Sequence, residues 1–281
     1  MRNVWNVARK EYADLVHSRM NLIVLVAFLL YSLMVIYKFY EGVNDMVPGG
    51  KLRFYDNLGL AGDNFLFISL GFFGAVIGII IGCSSISSER VGHALNTLTT
   101  KPVHRTTIIN GKLLGMLLFL LSIMAVFTVL FTVMYLLFCG SAIVPHLSEY
   151  LFRLPFVIFV ALVYVLVFLT MSMLISLVVR NQAFALILSA VFLYAVEEMG
   201  MLGQYLDMAL PGHGFYAFFV KLSPKDLIAF GMDSVQNRLM DTSSGAVDAF
   251  MSTLPELSQL LVYVAILLGL GYVIFTRRDI S

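Results

Sequence analysis

Apolar and polar positions follow one another along this chain in long blocks. Six apolar runs, at 21–40, 65–82, 113–138, 156–179, 183–202 and 257–275, are separated by polar stretches. Each run reaches or approaches the roughly 20 residues a helix needs to cross about 30 Å of hydrocarbon. Strands of a membrane barrel are shorter, about ten residues, and alternate in polarity. The pattern therefore predicts an all-α integral membrane protein with six spans. Ahead of the first run, residues 1–20 mix Val4, Trp5, Val7, Ala8 and Leu15 with Arg2, Arg9, Lys10 and Arg19. Such a mixture suits a helix lying on the membrane surface, its apolar residues toward lipid and its cations among the headgroups. A plain tail before the first span is the simpler alternative.

The polar stretch at 84–112 joins spans two and three. Within it, residues 89–100 fit about three helical turns. Val91, Leu95 and Leu98 fall at i, i+4 and i+7 and share one face. Ser87 or Ser88 suits the N-cap, and Glu89 suits the positive end of the helix dipole. Pro102 stops the helix, because the residue before a proline is pushed out of the α region. A short amphipathic helix here is either a connector or a docking element for a soluble partner, and the pattern alone favours neither.

Span two carries Gly71, Gly74, Gly78 and Gly82. The last three form two overlapping G-x-x-x-G patterns, a face that lets another backbone approach closely. Packing inside one subunit and a dimer seam are both open, the former being the simpler. Only residues 180–182 separate spans four and five, too little to hold a partner. The outer segment at 203–256 includes an apolar stretch at 212–231 that imitates a span. Lys221, Lys225 and Asp226 argue against that, since each charge at the bilayer centre costs about 2.5–3.5 kcal/mol. It is expected to be a re-entrant or surface helix. Pro224 is then placed at a helix start, 225–239 as a second helix and 240–246 as a turn.

Composition supports the membrane reading. The chain is 60% hydrophobic and 12% charged, with a mean hydropathy of +0.91; a soluble domain carries roughly 25% charged residues. With the N-terminus inside, eleven of the 18 lysines and arginines lie on the inner side. That bias places both termini in the cytoplasm, and a prokaryotic plasma membrane is the expected location. A net charge of +1 gives no reason to expect a nucleic-acid partner. Cys83 falls at the inner end of span two and Cys139 at the outer end of span three, too far apart for a disulfide. The polar, mixed-charge first 19 residues do not resemble a cleavable signal peptide.

Candidate chemistry is sparse. Glu197 and Glu198 lie near the outer end of the fifth span, where they could line an outer gate or simply sit in headgroup water. No two of the five histidines (His17, His93, His104, His146 and His213) have the H-x-x-x-H spacing of a metal-binding helix. The outer methionines could suit a soft cation, but they are scattered, so no metal site is assigned. Gly111-Lys112 is followed by Leu113 and lacks the upstream glycine of a P-loop, so ATP would have to be bound by another polypeptide. No catalytic constellation stands out.

The string Glu89…Leu95…Leu98…Pro102…Arg105…Gly111-Lys112 resembles the loop after the second span of type-2 ABC exporter permeases. The family pattern is E-x-x-x-G-T-L-x-x-L-x-x-x-P-x-x-R followed by G-K, with His93-Ala94 here in place of Gly-Thr. Arg9-Lys10-Glu11, Ser223-Pro224 and the basic ending Arg277-Arg278-Asp279 also resemble family features. The likeness is strongest to the subgroup that includes the permease of the nitrous-oxide-reductase maturation transporter, without assigning that cargo. The resemblance implies an N-terminal elbow helix and a coupling helix at 89–100 that docks in a cleft of a cytoplasmic P-loop ATPase. It implies no cofactor in this chain, since ATP and Mg would be held by that ATPase. It further implies a second permease copy or related chain as partner, within membrane lipid. The alternatives are an integral membrane enzyme or structural subunit without an ATPase, and an ion-coupled carrier. The first would need a polar cluster at membrane depth, and the second charged residues mid-span or broken-helix repeats.

Overall fold

The computed structural model describes residues 2–45, 66, 69–91, 105–144, 147–210, 212–229, 235–240 and 244–277. All elements among them are helical. They are α1 (Arg2–His17), α2 (Arg19–Asp45), a π-helical turn (Ser69–Phe73), α3 (Gly74–Val91), α4 (Arg105–Ile143), α5 (Leu147–Val178) and α6 (Gln182–Glu197). After these come α7 (Met199–Ala209), α8 (Phe215–Leu222), α9 (Pro224–Ala229), α10 (Val235–Met240), α11 (Ala246–Ser252) and α12 (Leu254–Arg277).

Three helices are individually long and apolar enough to cross a membrane: Ile109–Leu137 within α4, Leu147–Val178 and Leu254–Ile274. Two bent pairs, α1 with α2 and α6 with α7, bring the number up to five if each pair is one span. Leu70–Ile86 is a shorter apolar helix. The chain is thus a multi-pass membrane protein. Helix α5 is its hub. Of its apolar window 78% is buried inside the protein, against 17% for α12, which leaves most of its surface to lipid. Val160, Ala161, Val165, Phe168 and Leu169 on α5 are fully enclosed. Helices α3, α4, α6 and α12 surround it. Helix α2 joins the bundle from outside through aromatic packing: the Phe28 ring lies 4.9 Å from Phe73 and 4.3 Å from Phe127.

Four expected boundaries are corrected. Helix α3 runs without a break through Ser87, Ser88 and Glu89 to Val91, so neither serine starts a new helix. Inside a helix a serine hydroxyl can bond back to a preceding carbonyl instead of capping, as Ser84 Oγ does to Ile81 O at 3.1 Å. Helix α4 begins at Arg105 rather than Leu113, so the polar residues 105–112 form its first two turns. The helix drawn to Leu202 breaks at Glu198, where α6 and α7 meet at a 54° bend. The single helix expected over 225–239 is divided between α9 and α10, with residues 230–234 outside the described set.

Candidate functional site

Helix α1 lies across the start of α4. Two glycines permit this approach. A Cβ on Gly111 would stand 2.6 Å from Val7 Cβ and 2.9 Å from Val4 O, and one on Gly115 would stand 2.7 Å from Ala8 O. Between them Lys112 reaches into a nearly closed pocket. Its Nζ donates to Glu11 Oε2 and to Ser85 O, each at 2.9 Å, and to Ser85 Oγ at 3.0 Å. The Ser85 hydroxyl donates to Glu11 Oε1. The Lys112 and Glu11 side chains are 9% and 12% exposed. Charge-assisted bonds of this kind are roughly twice as strong as neutral ones. Tyr12 adds a hydroxyl bond to Ser122 Oγ at 3.3 Å and an edge-on contact with Phe119. One ion pair thus ties α1, α3 and α4 together, and α3 and α4 are the helices that bracket residues 92–104.

The glycine face of α3 points at α5 of the same chain. A Cβ on Gly74 would sit 2.6 Å from Val165 Cγ2, and one on Gly78 3.2 Å from Val165 Cγ1. One on Gly82 would overlap Ser172 Oγ and lie 2.8 Å from Leu169 O. The seam carries polar contacts of the sort that hold helices together in lipid. Ser176 Oγ donates to Cys83 O at 3.2 Å, and Ser172 Oγ reaches Gly78 O at 3.5 Å. Gly71 lies in the π-helical turn preceding α3.

At the α6–α7 bend a second polar cluster gathers. Tyr164 OH on α5 donates to Glu197 Oε1 at 2.8 Å. Lys225 Nζ on α9 pairs with Glu197 Oε2 at 3.0 Å and donates to Glu197 O at 2.9 Å. The Ser223 hydroxyl accepts the Asp226 N–H at 3.2 Å, capping α9, and donates to Val196 O. Asp226 is buried, and its Oδ2 has no hydrogen-bond partner. Burial pushes its carboxyl pKa up most. Ser223, Lys225 and the Gly200 amide pull it down, while Glu197 pushes it up. Glu198 is the half-buried bend residue, its backbone N–H bonded to Tyr194 O and Val196 O. About three turns from Tyr164 along α5, Arg153 is enclosed, paired with Glu149 and donating to Leu239 O at 2.7 Å and Ser244 O at 2.5 Å.

Of the residues singled out from sequence, Glu197 is drawn into a cluster and Gly74, Gly78 and Gly82 into a seam. Glu89 and Val91 occupy the last turn of α3 and Arg105 the first of α4, with their side chains outside the described set. Leu95, Leu98 and Pro102 lie outside the described residues. Sequence reasoning missed the Glu11–Lys112 pair, Tyr164, Asp226 and the enclosed Arg153. A usable signal existed for Glu11: it shares a helical face with Val4, Ala8 and Leu15, an acid on an apolar stripe. Among the described residues, no three His, Cys, Asp or Glu side chains converge as metal ligands.

No curated protein matches the chain in sequence. The family model described as ABC-2 family transporter protein matches residues 5–280, nearly the whole length, and the chain belongs to that family of ABC transporter permeases.

Proposed function

We propose that this ABC-2 permease subunit is an exporter driven by a separate cytoplasmic P-loop ATPase. The ATPase docks on the segment joining α3 to α4, with Glu89, Val91, Leu95, Leu98, Pro102 and Arg105 as its contacts. In this reading α2, α3, α4, α5, α6 and α12 are six spans, both termini are cytoplasmic, and two permease copies or related chains pair in the plasma membrane. Helix α1 is the elbow helix.

The observation that carries the proposal is the Lys112–Glu11–Ser85 tie. It fastens the surface helix and the two helices flanking residues 92–104 into one body, so a push on that segment moves all three together. From α3 the displacement passes through the close Gly74–Gly78–Gly82 seam to α5. From α5 it reaches Glu197, through Tyr164, at the α6–α7 bend. Such a push does work only if the ATP-bound ATPase binds one permease conformation more tightly than the other. The sequence has no P-loop of its own, so ATP and Mg belong to the partner in this reading. The test combines Glu89→Ala with Leu95→Asp. Loss of ATPase association with a normally folded permease is expected, and retained association together with retained transport would show that docking lies elsewhere.

A further inference from the structure

The outer cluster holds a charge that its neighbours do not balance. Glu197 and Lys225 neutralise one another, and the Lys225 ammonium is engaged twice by Glu197, at the side chain and at the carbonyl. Tyr164 contributes a neutral donor, also to Glu197. Among the described residues, Lys225 is the cation whose charge acts on Asp226, and Lys221 at the end of α8 lies exposed to solvent. Arg238 on α10 pairs with Glu256 of α12 and donates to Ser252 O. From α12, Gln259 and Tyr263 bond the carbonyls of Lys221 and Leu222 at the end of α8. Helix α7 presents the backbone of Gly200, and Glu198 stands at the bend. An ionised Asp226 would therefore leave one uncompensated negative charge, with Oδ2 shielded from water and unpartnered.

We propose that Asp226 is a proton-binding site, a neutral acid while α9 is closed against the α6–α7 bend, whose release of the proton to water loosens that contact. The space available favours a proton over a larger cation. A Cβ on Gly200 would already stand 2.8 Å from Asp226 Oδ2 and 3.1 Å from Oδ1, so no room remains for a hydrated ion. The direction in which burial moves the carboxyl agrees. The inference concerns the permease chain alone and does not depend on an ATPase partner.

The sign of the pH dependence follows from linkage. A carboxyl whose folded-state pKa lies above its ordinary 3.8 binds protons more tightly folded than unfolded. Stability is then greatest below the unfolded value and falls as pH rises through the folded one. The test is thermal unfolding of the full chain in lipid nanodiscs across this range, comparing wild type with Asp226→Asn and Glu197→Gln. The wild-type melting temperature relative to Asp226→Asn is expected to fall as pH rises above about 4 and then level off. Glu197→Gln removes the opposing charge and frees Lys225, so it should move that fall to lower pH. A difference from Asp226→Asn that stays constant across pH overturns the proposal. If Asp226→Asn does not fold, infrared titration of the protonated carboxyl in wild type and Glu197→Gln decides. A band persisting above the ordinary carboxylate range and shifted down by Glu197→Gln supports the site, and its absence refutes it.

Discussion

Lys112→Met isolates the tie between α1, α3 and α4. The change keeps the length and apolar stem of the side chain but removes an ammonium that donates to Glu11 Oε2, Ser85 O and Ser85 Oγ. Removing one partner of a fully buried ion pair costs about 3–5 kcal/mol, because the other charge is left without compensation. Here Glu11 keeps the Ser85 hydroxyl, and its side chain is 12% exposed. The expected loss therefore lies near the low end, about 3 kcal/mol. Glu11→Gln retains an acceptor but removes the acid paired with the ammonium, with an expected loss of about 2 kcal/mol. The double variant removes both charges and should lie within about 1.5 kcal/mol of wild type, since neither charge is then left buried without its partner. A double-mutant cycle by equilibrium unfolding in mixed detergent micelles should thus give a coupling energy of about 3.5 kcal/mol or more. A coupling below about 0.5 kcal/mol would mean that the two side chains do not hold α1 to α4 in the folded protein.

Other positions yield further expectations. Gly82→Ala forces α3 away from Ser172 and the Leu169 carbonyl and should cost about 1–3 kcal/mol in unfolding, whereas an alanine at Gly269, which has open space around it, should cost much less. Arg153→Met strips the donors from Leu239 O and Ser244 O and leaves Glu149 unpaired, so a loss of about 3 kcal/mol is expected. Glu149→Gln should matter less, because it keeps an oxygen acceptor for Arg153, which still donates to Leu239 O and Ser244 O. Asp207 accepts the Phe215 and Tyr216 amides at 2.8 and 2.9 Å and so caps α8. Asp207→Ala should lower stability by about 0.5–2 kcal/mol, and limited proteolysis should then cut faster between α7 and α8.

The helical membrane class was legible because an apolar run of about 20 residues matches the thickness of a bilayer and little else in a folded chain. Break points were harder to read. Gly200 and Gly203 look like ordinary filler in an apolar run, yet they sit where Asp226, Tyr216 and Phe219 press closest, so contacts formed only in the fold accompany the bend at Glu198. Serines at 84–88 carry cap propensity, but the ladder of α3 continues through them, and local propensity gave way to the longer helix. Pairings between distant residues left no trace in a single sequence. Glu11 and Lys112 are 101 positions apart, and Arg9-Lys10-Glu11 reads as a surface charge cluster until α4 is laid beside it. Tyr164 was hidden in an apolar run, where its hydroxyl meets Glu197 from another helix.

The most direct measurement is purification of the C-terminally tagged permease from native membranes in mild detergent, with identification of its partner and assay of vanadate-sensitive ATP hydrolysis. A P-loop ATPase at one copy per permease is expected, with hydrolysis that disappears together with the partner when Leu95→Asp is introduced. A permease that purifies alone, without hydrolysis, would contradict the ATP-driven reading and turn attention to Tyr164, Glu197 and Asp226 as the working centre of the chain.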